Sequence, residues 1–188
     1  MIGRIILFLV LNFSALGIGG LFTSGSVNSE WYQNLKIAPW TPPGWVFGFA
    51  WTSIMICFSV YMAYAVKNTD NLKTLLILYA IQWILNVSWN PVFFYYHHVL
   101  FALFLIITLT ILIGYIFIHY ASSVKLNSLF LLPYLIWMII ATSLNAYIFI
   151  KNWLYLRLLN HSVFLNCEKI CFITTANHSR HICSGTES

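Results

Sequence analysis

Apolar residues gather into five long runs, and every Lys, Arg, Asp and Glu falls between or beyond them. The runs cover about 5–22, 45–66, 75–94, 99–120 and 129–150. Each is close to the roughly 20 residues that cross a bilayer as an α-helix. A charge in the middle of the hydrocarbon costs about 2.5 kcal/mol or more, which explains why charges stop at the run ends. The pattern predicts an all-α membrane protein, a bundle of five transmembrane helices. Three connections are short: 67–71, 95–98 and 122–127. Short connections make consecutive helices antiparallel neighbours. The long one, between the first two helices at about Thr23 to Gly44, reads as a capping loop, since long irregular connections in compact domains are usually functional. It carries Pro39, Pro42 and Pro43, which resist helix, and an extended or turning path is expected up to Gly44.

The first run follows Arg4 and has the look of a signal peptide, but no convincing small-x-small cleavage site precedes Trp31. It is therefore expected to be a retained span. Ala15, Gly17, Gly19 and Gly20 would let a neighbouring helix come close.

Composition agrees with the pattern. Hydrophobic residues make up 61% of the 188 and charged residues 7%, where a soluble domain carries about 25% charged. Mean hydropathy is +0.83. The net charge of +5 forms no dense basic cluster, so it implies contact with anionic lipid and no nucleic-acid partner. Arg4, Lys67, Lys73 and Lys125 collect on one side of the predicted bundle, Lys36, Lys151 and Arg157 on the other, which leans toward a cytoplasmic N-terminus. Aromatic residues reach 18%. Interfacial belts account for part of them, but not for tryptophans inside a span.

Residues 1–151 read as the transmembrane domain and 152–188 as an interfacial or disordered tail. Cys167, Cys171, His178, His181 and Cys183 are metal-ligand types, but their spacing fits no zinc module, and no metal site is expected. Cys57 reads as a packing residue and His119 as a structural or interfacial one.

The polar residues inside the spans are the informative ones. Gln82, Asn86, Trp89 and Asn90 share one face of the third predicted helix. Trp137, Ala141, Leu144 and Asn145 share one face of the fifth. Trp51 lies about two turns into the second. Intramembrane amides either tie helices together or line a cavity. Antiparallel alternation puts Trp51, Asn86 and Asn145 near the same membrane face, under the Pro-Trp stretch. The expected result is an uncharged hollow with aromatic walls, suited to a flat, largely apolar ligand. No span carries a carboxylate or lysine, which argues against a proton-coupled pump. No Ser-His-Asp or Cys-His arrangement and no phosphate-binding loop can be assembled.

Three separated motifs carry a family resemblance. They are W-Y-x-x-L-x-x-x-P-W-x-P-P-x-W-V-F-G at Trp31–Gly48, with Trp51 following, Q-x-x-x-N-x-x-W-x-P-x-F-F at Gln82–Phe94, and L-P-Y-L-x-W-x-x-x-A-T-x-L-N at Leu132–Asn145. In these the chain resembles the translocator proteins, also called tryptophan-rich sensory proteins or peripheral-type benzodiazepine receptors. The resemblance implies a five-helix bundle with a ligand pocket capped by the first loop. It also implies a receptor or sensor for porphyrin or haem-type tetrapyrroles or for sterol, with no required cofactor, and admits a homodimer. Carried over by position, the pocket would take Tyr32, Pro42, Trp51, Asn86, Trp89, Trp137, Ala141 and Leu144. Trp51 and Trp137 would act in any light-dependent porphyrin breakdown, and passive ligand transport is a further reading. A loose sterol motif matches Leu144, Tyr147 and Lys151. Ile77 and Ile81 replace the small residues the family often uses for dimer packing, and Asn90 stands where a proline is common.

Overall fold

Glycine or asparagine sits at the start of two long helices, and proline breaks the ladder elsewhere. The computed structural model describes residues 1–154, with side chains to 152. Helix α1 spans Ile2–Ser26, the short α2 Glu30–Gln33, α3 Gly44–Asn68 and α4 Leu72–Asn90. A π-helical turn, Pro91–Tyr95, continues α4. Helix α5 spans Val99–Val124, a 3-10 stretch Lys125–Leu131 follows, and α6 spans Leu132–Ile148. Among the described residues every element is helical.

Four helical runs are long and apolar enough to cross a membrane: Ile2–Ser26, Gly44–Asn68, Leu72–Tyr95 and Val99–Asn152. The last counts 54 residues because the 3-10 stretch joins α5 to α6 without a gap. It is not one rod. Lys125 has φ 55° and ψ −131°, which no helix propagates through. The chain then doubles back, so that Thr110 and Thr142 share a hydrogen bond at 2.9 Å.

The chain divides into two units, Met1–Phe149 and Ile150–Ser188. In the second, only residues 150–154, part of the π-helical turn Phe149–Leu154, are described. The predicted tail ligands Cys167, Cys171, His178, His181 and Cys183 lie outside the described residues.

The core of the first unit centres on α3. Phe58, Tyr61 and Met62 pack with Leu75 of α4, Ile113 and Ile116 of α5, and Tyr134 and Met138 of α6, all fully buried. Buried polar side chains tie the helices across this core. The Tyr79 hydroxyl donates to Asn12 Oδ1 at 2.8 Å. Asn12 Nδ2 donates to Ser59 Oγ at 2.9 Å, which links α1, α3 and α4. Gln82 Nε2 donates to the Tyr134 hydroxyl at 2.7 Å, which links α4 to α6. Gln82 is therefore a helix tie. Cys57 is half-buried in α3, and His119 sits among rings, stacked on Tyr115 at 5.1 Å and edge-on to Tyr120 at 4.8 Å.

Two expectations about the elements change. The helices run past the apolar segments into polar residues, α1 to Ser26, α3 to Asn68 and α5 to Val124, because a helix does not stop where its hydrophobic stretch stops. The connection after α1 is not wholly extended. Ser29 caps α2 by accepting from the Tyr32 amide at 3.3 Å, with Glu30 in the first turn, where an acidic residue favours the helix dipole. The prolines restrict only the part beyond it.

Candidate functional site

The polar faces of α4 and α6 and the start of α3 converge on a cavity of about 660 Å³. That is within the usual range for small-molecule sites. Tyr32 and Pro42 from the α1–α3 connection line it, with Trp51 from α3, Asn86 and Trp89 from α4, and Trp137, Ala141 and Leu144 from α6. All eight positions singled out in the sequence are thus brought to one wall system. The described lining contains no Asp, Glu, Lys, Arg or His.

Ring contacts hold the walls. Phe47 meets Trp137 edge to face at 5.3 Å, and Trp51 meets Tyr134 at 6.3 Å. Trp89 stacks on Phe93 at 5.2 Å. Such pairs contribute about 0.5–1.5 kcal/mol each beyond the area they bury. The connection is anchored in the same way. Trp31 lies edge-on to Phe93 at 5.6 Å and flat on His97 at 4.0 Å, and Tyr32 packs on Phe94 at 5.8 Å. Farther along, the Trp40 indole N–H donates to Ser143 Oγ at 3.3 Å, and its ring meets Tyr147 edge-on at 5.3 Å. Burial raises the Tyr32 phenol above its ordinary pKa, so it stays a neutral donor and acceptor at any physiological pH.

Polar capacity in the walls is only partly used. The indole N–H groups of Trp89 and Trp137 are buried without a hydrogen-bond partner, and so are both amide atoms of Asn145. Asn90 is committed instead: its Oδ1 accepts from Thr23 Oγ1 at 2.9 Å.

Two elements that sequence reasoning left out of the hollow also form wall. From α1 come Leu16, Gly19 and Thr23, and from α5 Ile106 and Leu109. The signal for α1 was its small residues, taken only as a sign of close helix approach. Gly20 on α1 and Gly44, Gly48 and Thr52 on α3 line the cavity while remaining exposed, so it is open along the seam between these helices. Asn145 also lines the cavity, four positions after Ala141 on the same face. Of the loose sterol motif, Leu144 lines the cavity, Tyr147 does not, and Lys151 belongs to the second unit.

Comparison with known proteins fits this arrangement. The sequence profile of the TspO/MBR family matches residues 5–150. A tryptophan-rich sensory protein of Cereibacter sphaeroides is 33% identical over 124 residues, 66% of this chain and 78% of that one. A tryptophan-rich protein TspO of Archaeoglobus fulgidus is 32% identical over 146 residues, 76% of this chain and 94% of its own. The human translocator protein is 28% identical over 140 residues, 72% of this chain and 82% of its own.

Proposed function

This chain belongs to the TspO/MBR family of integral, multi-pass membrane proteins, and we propose that it is a receptor or sensor that binds a porphyrin or haem-type tetrapyrrole in the cavity. In this reading the bundle crosses the bilayer five times, with α5 and α6 as separate spans, and the α1–α3 connection caps the site. The observation that carries it is an uncharged cavity of about 660 Å³ with Trp51, Trp89 and Trp137 in its wall. Flat aromatic walls favour a flat conjugated ligand through stacking and edge contacts. Sterol is the competing ligand, supported by the same apolar lining but less by its rings.

The test is titration of the purified chain with protoporphyrin, haem and sterol, followed by tryptophan fluorescence. Tight tetrapyrrole binding with quenching is expected. The Trp51→Phe, Trp137→Phe double variant should bind at least tenfold more weakly, equivalent to about 1.4 kcal/mol. Unchanged affinity in the double variant would remove the cavity from consideration.

A second reading is light-dependent breakdown of the bound porphyrin. The presence of both Trp51 and Trp137 in one wall favours it, since an excited ring there would have two oxidisable indoles beside it. Illumination with oxygen present should bleach porphyrin faster than a protein-free control, and equal rates would dismiss it. Passive transport draws support from the open seam between α1 and α3, which would let a lipid-soluble ligand exchange with the bilayer. Porphyrin flux into liposomes measures this directly.

A further inference from the structure

One side chain in the cavity wall has no use for either of its polar atoms. Asn145 is 2% exposed and lines the cavity, and neither Nδ2 nor Oδ1 has a hydrogen-bond partner. Which atom is nitrogen and which oxygen does not matter here, because both are orphaned. Buried amides are nearly always paired, and leaving one unpaired is costly. The other deeply buried amides behave differently. Asn12 bonds through both ends, and Gln82 bonds through its nitrogen to the next helix. They hold helices together. Asn145 ties nothing, so its amide is not there for packing.

The surroundings narrow what would satisfy it. Trp89, with its own unpartnered indole N–H, packs in the cluster of Phe93, Phe94 and Ile148, and Ile148 lies within one turn of Asn145 on α6. Asn145 itself offers an N–H donor and an amide oxygen, and the cavity lining holds no cation. A carboxylate brings only acceptors, would set a negative charge against Oδ1, and would find no counter-ion. A ketone or ether leaves Oδ1 unpaired. A group that donates and accepts at neighbouring atoms satisfies both ends of the amide at once.

We infer that Asn145 reads the ligand by pairing with the adjacent N–H and C=O of a secondary lactam carried on a flat apolar ring system. The lactam N–H donates to Oδ1 and its carbonyl accepts from Nδ2. The inference rests on the reading of the cavity as a site for flat apolar molecules, and names a polar group that protoporphyrin and haem themselves do not carry.

A matched pair of probes tests it: phenanthridinone, a flat tricyclic secondary lactam, and its N-methyl derivative, which lacks only the donor. Titrated into the full chain in detergent, the N–H compound should bind on the order of tenfold more tightly, the effect of one retained hydrogen bond and one avoided orphan. In Asn145→Leu, of similar size, the preference should vanish. The empty variant should melt no lower than the parent, since an unpaired amide has been replaced by an apolar group. Equal binding of the two probes by the parent, as a resident water on Asn145 would produce, overturns the inference. So does absence of binding by either probe, a preference that survives in Asn145→Leu, or a lower melting temperature of the empty variant. Protoporphyrin titrated in parallel separates the two claims. Protoporphyrin binding without lactam preference overturns only the role of Asn145, and lactam preference without protoporphyrin binding overturns only the tetrapyrrole reading.

Discussion

Tyr79, Asn12 and Ser59 form a polar chain inside the apolar core, and none of the three lines the cavity. Removing the Tyr79 hydroxyl orphans Asn12 Oδ1. Tyr79→Phe should lower unfolding stability in detergent by about 1 kcal/mol, in the range for interhelical hydrogen bonds in membranes. Protoporphyrin affinity should stay as it was, which separates helix ties from cavity residues. Gly19 makes the opposite case, where a single added methyl group meets the cavity wall. A Cβ there would stand 2.5 Å from Asn90 Nδ2, so Asn90 must swing away from Thr23. Gly17, two residues earlier, has open space around it. Gly19→Ala should therefore lose roughly 1 kcal/mol, a typical cost for a crowded substitution. Gly17→Ala should be neutral or gain up to about 1 kcal/mol of helix propensity. Adding Asn90→Ala should reduce the cost of Gly19→Ala, and the coupling is measurable as a double-mutant cycle. These pairings were not legible in the sequence. Helical spacing showed that Gln82, Asn86 and Asn90 share a face. Antiparallel alternation put Asn86 in the expected hollow, but nothing showed that Gln82 ties to Tyr134 or that Asn90 packs on Gly19, because partners separated by more than fifty residues are set by three-dimensional packing.

The all-helical character and the apolar segments were legible, because hydrocarbon excludes charge over a length that only a helix can satisfy. Their ends were less so. A polar residue leaves the hydrocarbon without leaving the helix, as Asn68 and Ser26 show. The start of the connection was misread for a different reason. Three prolines coloured the whole stretch, although Ser29 and Glu30 carry a helix-start signal ten residues before the first of them. Trp40, 54% exposed, links the later part of the connection to α6. Its hold comes from the bond to Ser143 and the edge contact with Tyr147. Trp40→Ala should leave the helical core stable but loosen this strap. Bound protoporphyrin should then dissociate several-fold faster, with a smaller change in the association rate, as expected when a change acts mostly on residence time. Stopped-flow displacement of the bound porphyrin gives both rates. A dissociation rate equal to that of the parent would mean that the Trp31 and Tyr32 ring contacts are sufficient to hold the connection.

At the scale of the whole bundle the open matter is how many times the chain crosses. Helix α5 has 26 residues, about 39 Å at the standard rise per residue, which exceeds the hydrocarbon thickness of about 30 Å. In the five-span reading a helix of that length and composition, packed beside α4, emerges on the far side. Lys125 at its end, with a backbone conformation that stops the helix, is then placed at the opposite membrane face from His98 at its start. Helix α6 returns antiparallel beside it, as the Thr110–Thr142 bond requires. Five crossings would put Lys36 and His98 on one side and Asp70 and Lys125 on the other. The basic residues Arg4, Lys67, Lys73 and Lys125 would share the second side, which the positive-inside rule assigns to the cytoplasm. Single cysteines at these four positions, in a background with the natural cysteines replaced, should label accordingly with a membrane-impermeant maleimide. Lys36→Cys and His98→Cys should react in intact cells or right-side-out vesicles, and Asp70→Cys and Lys125→Cys only after permeabilisation. Lys125→Cys is the decisive position. If α5 and α6 entered and left from one face as a re-entrant pair, it would either label with His98→Cys or resist labelling altogether, and the bundle would have three spanning elements in place of five.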